Sequence, residues 1–475
     1  MYDTTTTRPA TGDQPDGGAV EALASRLSGR IITPDGADYE EARQVWNGMI
    51  DRRPTFIVRC AGTDDVAQAV SFAREHDVLT SVRGGGHNVA GNAVLDDAMV
   101  IDLSEMNEVS VDAARRTAKV QGGATLGDLD KATAPFGLAA PVGVVSATGV
   151  AGLTLHGGLG WLSRKYGAAL DNIVSVEIVT ADGQIRRASA DENPDLFWAL
   201  RGGGGNFGVV TSFEFTLHPV GPDVWFAAVF YPLEEAEAAL RWYREYMPTA
   251  SEELGTLVVL WTAPEEEFIP LEAQGKPAIV FLACYSGPFE KGEEAIRPFR
   301  ELGRPLADLS APMPFKDVQQ FLDADYPNGH NYYWKSSYLE ELSDAAIAKL
   351  IERAKTRPSP LTSIDVWFLG GALRRVPADA TAFGQRQAPF LIGVESNWDE
   401  ADRAEENIGW AREVIKDMQR ISDAAAYLNF PGFSEEGETQ LVKAFGDNFP
   451  RLREVKAKYD PENLFRANLN IRPAA

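Results

Sequence analysis

The stretch "SVRGGGHNVAG", residues 81–91, decides how this 475-residue chain is read. Three glycines run straight into a histidine. Glycines without side chains let main chain lie close to a phosphate or a flat ring. A histidine is a base, a nucleophile or a metal ligand. Just before the loop, "VLTSVR" is strand-like, so the loop sits at a strand end. Further back, "TFIVRC" is another strand, and "DDVAQAVSFAREH" places Val66, Ala69, Val70 and Ala73 on one helical face, with Thr63 positioned to cap it. Short strands and helices continue to about Pro219. The class read from this pattern is α+β.

Two more glycine runs follow: "GVAGLTLHGGLGWLSRKYG" at 149–167 and "RGGGGNFGVV" at 201–210. The third contains G-x-G-x-x-G at Gly203, Gly205 and Gly208. A dinucleotide fold of the Rossmann kind needs a strand before that motif and a helix after it. Here "NPDLFWAL" before it is helix-like and "VVTSFEFTLH" after it is strand-like, so that reading is rejected. No P-loop and no G-x-S-x-G elbow occur. The five histidines, His76, His87, His156, His218 and His330, form no metal-binding pattern, and no metal is expected. What remains is a set of backbone-rich turns. Such turns donate N–H groups to a pyrophosphate and leave room for a large planar ring. Singly, each run reads as a tight turn. Three together, one ending in histidine, point to a flavin dinucleotide.

Composition bounds the rest. The length suggests two domains, and a shift near residue 220 marks the second. From there "VWFAAVFYP", "GTLVVLWTAP", "AIVFLACYSG", "NYYWKSSYLEEL" and "TSIDVWFLGGALRRV" read as strands of a large antiparallel sheet with one exposed face. The divisions expected are a loosely ordered leader at 1–35, a first domain at 36–219, a second at 220–425, and a segment at 426–475 that returns to the first. No apolar run is long enough to span a membrane, and the polar N-terminus has no signal-peptide pattern. Cys60 and Cys284 are the only cysteines and form no disulfide framework. A cytoplasmic protein is expected. The net charge of −24 excludes nucleic acid and anionic membranes as partners. That acidity, with arginine outnumbering lysine, also fits a host of high internal salt.

"VRGGGHNVAG", "GVVSATGVAGLTLHGGLGWLSRKYGAALDNIVSVEIVTADG", "FWALRGGGGNFGVVT" and "KYDPENLFRANLNI" together resemble the berberine-bridge-enzyme-like flavoproteins of the vanillyl-alcohol-oxidase superfamily. The resemblance runs from about Trp46 to the C-terminus. It implies an FAD-binding domain of two α+β subdomains, then a substrate domain with a large antiparallel sheet backed by helices. It implies FAD bonded covalently through His87 to its C8 methyl. The cysteine that many relatives use for a second bond falls on Val145, so a single bond is implied. Carried over position by position, the flavin contacts are Arg83, Gly84, Gly85, Gly86, Asn88, Gly91, Gly143, Thr148, Gly149, Gly152, Leu153, Gly158, Gly208, Val210, Asn429 and Asn468. Thr148 also falls where relatives gate oxygen. Tyr427, in "AYLNFPG", is the first candidate for a base or substrate-orienting hydroxyl, and Glu395, in "IGVESNW", the second. Tyr332, Trp334 and Lys335 are expected along the substrate cleft or on the sheet's buried face. His156, where a glycine is usual, is a candidate toward substrate or flavin. The implied activity is oxidation of an alcohol or amine carbon of a small molecule, with oxygen as acceptor. An FAD-linked dehydrogenase and a flavin carrier without turnover are the alternatives.

Overall fold

The computed structural model describes residues 16–267 and 269–475. The quoted loop leaves a four-stranded sheet. In it Phe56–Arg59, Met99–Asp102 and Thr80–Arg83 run parallel, and Arg30–Ile32 lies antiparallel at the edge. The helix Thr63–Glu75 packs with Val66, Ala69, Val70, Phe72 and Ala73 inward. Its start differs from expectation. Gly62 is the N-cap and Thr63 the first helical residue, so the Thr63 hydroxyl is free to donate to Glu177 Oε1 at 2.8 Å.

The expected loose leader needs correction from residue 16 onward; residues 1–15 lie outside the described residues. Gly17–Ala24 is a helix with Leu23 buried, and Arg30–Ile32 is a paired strand. The cause is Asp65, whose carboxylate accepts backbone N–H groups of Ser28, Gly29 and Ala61 at 2.8, 2.9 and 2.8 Å. A side chain in the following helix thus ties this segment down. The polar composition of the segment gave no sign of that.

A second, five-stranded antiparallel sheet runs in the order Val109–Asp112, Thr117–Gln121, Val209–Thr216, Ile173–Val179, Ile185–Ser189. The helix Pro194–Leu200 precedes the third glycine run and the strand Val209–Thr216 follows it. The large sheet has eight strands, all antiparallel, with Ser363–Phe368, Phe390–Trp398 and Asn331–Leu339 side by side toward one end. Its expected exposed face is absent. Alternate side chains of a strand point to opposite faces, and here both faces are covered. Val258, Leu260, Ile364, Val366 and Ile392 lie under the helices Ala236–Tyr246, Gly292–Arg300, Asp344–Ala354 and Ala404–Ile421, while Phe226, Leu257, Trp367 and Leu391 join the core shared with the glycine-rich region.

The C-terminal helices Glu438–Phe445 and Phe449–Tyr459 return the chain to the first region. Lys456 and Asp460 form an ion pair with no side-chain exposure. Such a pair is tolerable only when its remaining groups are hydrogen-bonded, and these are. Lys456 Nζ donates to Asp460 Oδ2 (2.6 Å), Asn206 O (2.7 Å) and Phe465 O (2.9 Å), and Asp460 accepts N–H groups of Leu464 and Phe465 at 2.7 and 2.9 Å. Asn206 also donates to Leu469 O and accepts from the Ile471 amide. The third glycine run therefore holds the tail. The fold is α+β, and no helix among the described residues is long and apolar enough to cross a membrane.

Candidate active site

The first two glycine runs meet back to back. A Cβ on Gly85 would lie 2.5 Å from Gly149 Cα, so neither position has room for a side chain. Around this contact opens a long cleft between the glycine-rich region and the large sheet. Gly84, Gly85, Gly86, His87 and Asn88 line it. Among the described residues, the backbone amides of residues 85–88 find no acceptor. Successive free N–H groups of this kind form an anion cradle.

His87 lies flat on Trp46, with ring centroids 4.0 Å apart and planes at 16°; the other face of Trp46 stacks on Tyr332 at 3.6 Å. Trp46 is fixed in turn, its amide donating to Gly86 O and its indole N–H to Tyr326 O, at 3.1 and 3.0 Å. Burial pushes the His87 imidazole down to about 4, so it is neutral at ordinary pH. Its Nε2 is buried without a hydrogen-bond partner.

His156 also borders the cleft, with Nε2 buried and unpartnered. A Cβ on Gly204 would come within 2.1 Å of that nitrogen. Burial lowers this imidazole to about 4 as well, so it does not titrate near neutrality. Tyr427 accepts the Gly158 amide at 2.9 Å and Asn429 Nδ2 at 2.8 Å on its phenol oxygen. Burial nevertheless pushes the phenol up to about 12. That favours the protonated phenol, the form an orienting hydroxyl needs.

The opposite wall is the large sheet. Glu395 on Phe390–Trp398 is cross-strand from Ser363 and from Trp334. Asp365 lies one pleat along from Ser363 on the same face, opposite Gly393. Both carboxyls border the cleft and are almost fully buried. Tyr326 donates to Glu395 Oε2 at 2.6 Å, and Ser363 to Asp365 Oδ1 at 2.9 Å. Burial raises Asp365 to about 7; burial, and then the neighbouring Asp365, hold Glu395 well above the usual carboxyl range.

Most of the expected positions converge here: Gly84, Gly85, Gly86, His87, Asn88, Gly143, Val145, Thr148, Gly149, Gly152, Leu153, His156, Gly208, Val210, Trp334, Glu395, Tyr427, Asn429 and Asn468 all line the cleft. Four do not. Arg83 turns away to donate to Ala42 O. Gly91, at φ +67°, closes a turn against Ile50. Gly158 sits behind Tyr427, packed on Ala169. Tyr332 stands behind Trp46, its hydroxyl donating to Pro327 O at 2.5 Å. Lys335 points to the other face of the sheet, toward Glu435 and Glu436. Asp365, Tyr326, Trp46 and Phe430 went unread in the sequence. A lone acid inside the apolar strand "TSIDVWF" was the available signal for Asp365.

Residues 54–189 match the FAD binding domain family, and residues 426–472 match the berberine and berberine-like family. An FAD-linked oxidoreductase of Bacillus subtilis, YgaK, is 31% identical over 94% of this chain and 98% of its own length. The chain belongs to the berberine-bridge-enzyme-like FAD-linked oxidoreductases. The (R)-6-hydroxynicotine oxidase of Paenarthrobacter nicotinovorans is 32% identical over 95% of this chain and 98% of its own. The crystal structure of 6-hydroxy-D-nicotine oxidase from Arthrobacter nicotinovorans superposes with a TM-score of 0.84 at 29% identity, covering 94% and 98% of the two chains. Physcomitrella patens BBE-like 1 shares the fold, with a TM-score of 0.86 at 23% identity over 96% and 100%. This oxidoreductase thus binds FAD, and the cleft's free amides and unpartnered imidazoles fit that group.

Proposed function

We propose that this protein is an oxidase that takes a hydride from an alcohol or amine carbon of a small molecule and passes the electrons to oxygen, giving hydrogen peroxide. The observation that carries this reading is the facing of two walls: a neutral, unpartnered His87 on one, a buried carboxyl pair on the other. Bound FAD would supply the two-electron acceptor. The amides of residues 85–88 are suited to its pyrophosphate, and His87 to a single covalent bond. A neutral imidazole is the nucleophilic form. Trp46 fixes its plane on one side. Val145 offers no sulfur for a second bond, and Cys60 and Cys284 are buried in hydrophobic cores and are not among the residues lining the cleft.

Glu395 is the proton acceptor in this reading. Burial and the neighbouring Asp365 raise its affinity for a proton, which makes its ionised form a stronger base. Tyr427 orients the substrate through its hydroxyl. Thr148, short and facing the cleft, leaves a path for oxygen.

Acid denaturation of the purified yellow protein tests the bond. The flavin should precipitate with the polypeptide and be released from His87→Ala. Release from the unaltered protein ends the His87 assignment. Anaerobic bleaching by a substrate panel, followed by recovery in air with peroxide formed, tests the activity. Recovery only with an artificial acceptor indicates a dehydrogenase, and no bleaching by any compound indicates a carrier.

A further inference from the structure

The loop that carries His87 is gripped from outside its own sheet. Among the described residues, its amides at 85–88 find no acceptor. Its carbonyls at Gly86 and Val89, on either side of His87, accept from residues 46 and 47. The Trp46 amide donates to Gly86 O at 3.1 Å, and Asn47 Nδ2 to Val89 O at 2.7 Å. The same short segment holds the approach to the large sheet. Trp46 O accepts the Gly329 amide at 3.0 Å, and the Gly48 amide donates to His330 O at 2.8 Å. Asn47, fully buried, donates to Tyr332 O at 2.8 Å and accepts the Tyr332 amide at 3.1 Å. A Cβ on Gly48 would stand 2.1 Å from Gly329 O, so the two stretches of main chain run in contact.

Side chains repeat the pattern. Trp46, Val89, Tyr332 and Trp334 form a small core of their own. Beside it the rings of His87, Trp46 and Tyr332 lie in one stack, 4.0 and 3.6 Å between centroids, with successive planes at 16° and 14°. The indole N–H ties the middle ring to Tyr326 O at 3.0 Å. The stack matters because the torsion that turns an imidazole about its Cβ–Cγ bond is broad and soft. A histidine on a glycine loop has no fixed plane unless a neighbour supplies one. A nucleophile misplaced by about 1 Å loses about 10²-fold in rate.

We propose that residues 46–48 are a latch through which the large sheet aligns His87 for its bond to FAD, with Trp46 as the positioning residue. This rests on the His87 reading above and adds the groups that aim the imidazole. In the bond-forming step a C–H bond of the C8 methyl and the imidazole N–H break, and an N–C bond forms. The two protons and two electrons released reduce the flavin, and oxygen reoxidises it to give hydrogen peroxide. Trp46 takes no part in that exchange. It holds the imidazole plane, and Tyr332 and the main chain at 329–332 hold Trp46 and Asn47 in turn. A chain whose large sheet has not docked therefore binds FAD before it bonds to it.

Full-length protein produced under riboflavin limitation is mixed with FAD in air, and total and acid-precipitable flavin are followed over time. In the unaltered protein the second should rise to equal the first. Trp46→Met fills the space without a plane; total flavin and Tm should hold while the bond forms about 10²-fold more slowly. Trp46→Phe keeps a flat ring and should restore the rate to within about tenfold of the parent. Tyr332→Leu, on the far side of Trp46 from His87, should slow the bond by about tenfold. A role in folding alone would lower Tm or total flavin and leave the rate per bound flavin unchanged. Bonding at the parent rate in Trp46→Met overturns the inference, as does Trp46→Phe as slow as Trp46→Met. Where Trp46→Met loses flavin or fold, Tyr332→Leu decides: a slow bond supports the latch and a parent rate overturns it. No acid-precipitable flavin in the unaltered protein removes the His87 reading and the latch together, whereas a parent rate in the variants removes the latch alone.

Discussion

One wall of the cleft is main chain and the other is side chain. The glycine wall is made by three sequence runs whose backbones touch, so its chemistry is that of amides held at fixed positions. The sheet wall is made by Trp334, Asp365, Glu395 and Tyr326, drawn from three strands and a connecting segment. The difference teaches where each kind of specificity resides. A backbone wall recognises a constant group such as a cofactor and tolerates almost no substitution. A side-chain wall can be re-lettered strand by strand, which lets one fold serve many substrates.

Gly85→Val breaks the first wall most severely. Its Cβ would press on the Gly149 backbone, which cannot rotate aside. A loss of about 1–3 kcal/mol or more is expected, seen as a fall in Tm and as protein purified without colour. Normal colour and Tm would show that the two runs can part. Glu395→Gln acts on the second wall alone. Flavin content should stay near that of the parent while the anaerobic reduction rate falls by about 10²–10⁴. Tyr427→Phe removes only the orienting hydroxyl, and a fall of about tenfold is expected, reflecting one hydrogen bond. A larger loss than for Glu395→Gln would exchange the roles assigned to the two.

The walls also differ in their response to pH. Asp365 holds its proton to about pH 7 when folded and to about pH 4 when unfolded. Between those values the unfolded chain ionises first, so this group's contribution to stability is full below pH 4 and is lost as pH rises toward 7. The slope is about 1.4 kcal/mol per pH unit. Asp365→Asn should therefore gain stability relative to the parent between pH 4 and 7, followed as Tm at each pH; a constant difference would mean the carboxyl is ionised in the folded state. The smallest effect concerns the surface. If the charge of −24 reflects a salty host, Tm should rise by a few degrees in about 1 M potassium chloride, as screening weakens self-repulsion. A flat response removes that reading.

The glycine wall was legible because its residues are contiguous in sequence and glycine has few other reasons to cluster. The helix Thr63–Glu75 was legible through its apolar face. The sheet wall was not, because neighbours there are far apart in the chain and the facing of a strand buried on both sides leaves no alternation to read. Arg83 and Tyr332 show the same limit at single residues. Each adjoins true lining residues, yet one points to Ala42 and the other stands behind Trp46. The ordered segment from residue 16 depends on Asp65, a contact between separate elements that composition does not encode.

The buried Lys456–Asp460 clasp bears on the order of events in the cell. Asn468, which lines the cleft, lies just beyond this clasp, and Asn206 holds the clasp across 250 residues of chain. Synthesis runs from the N-terminus, so the first sheets precede this part of the cofactor wall, and a chain truncated before Lys456 should accumulate as colourless protein.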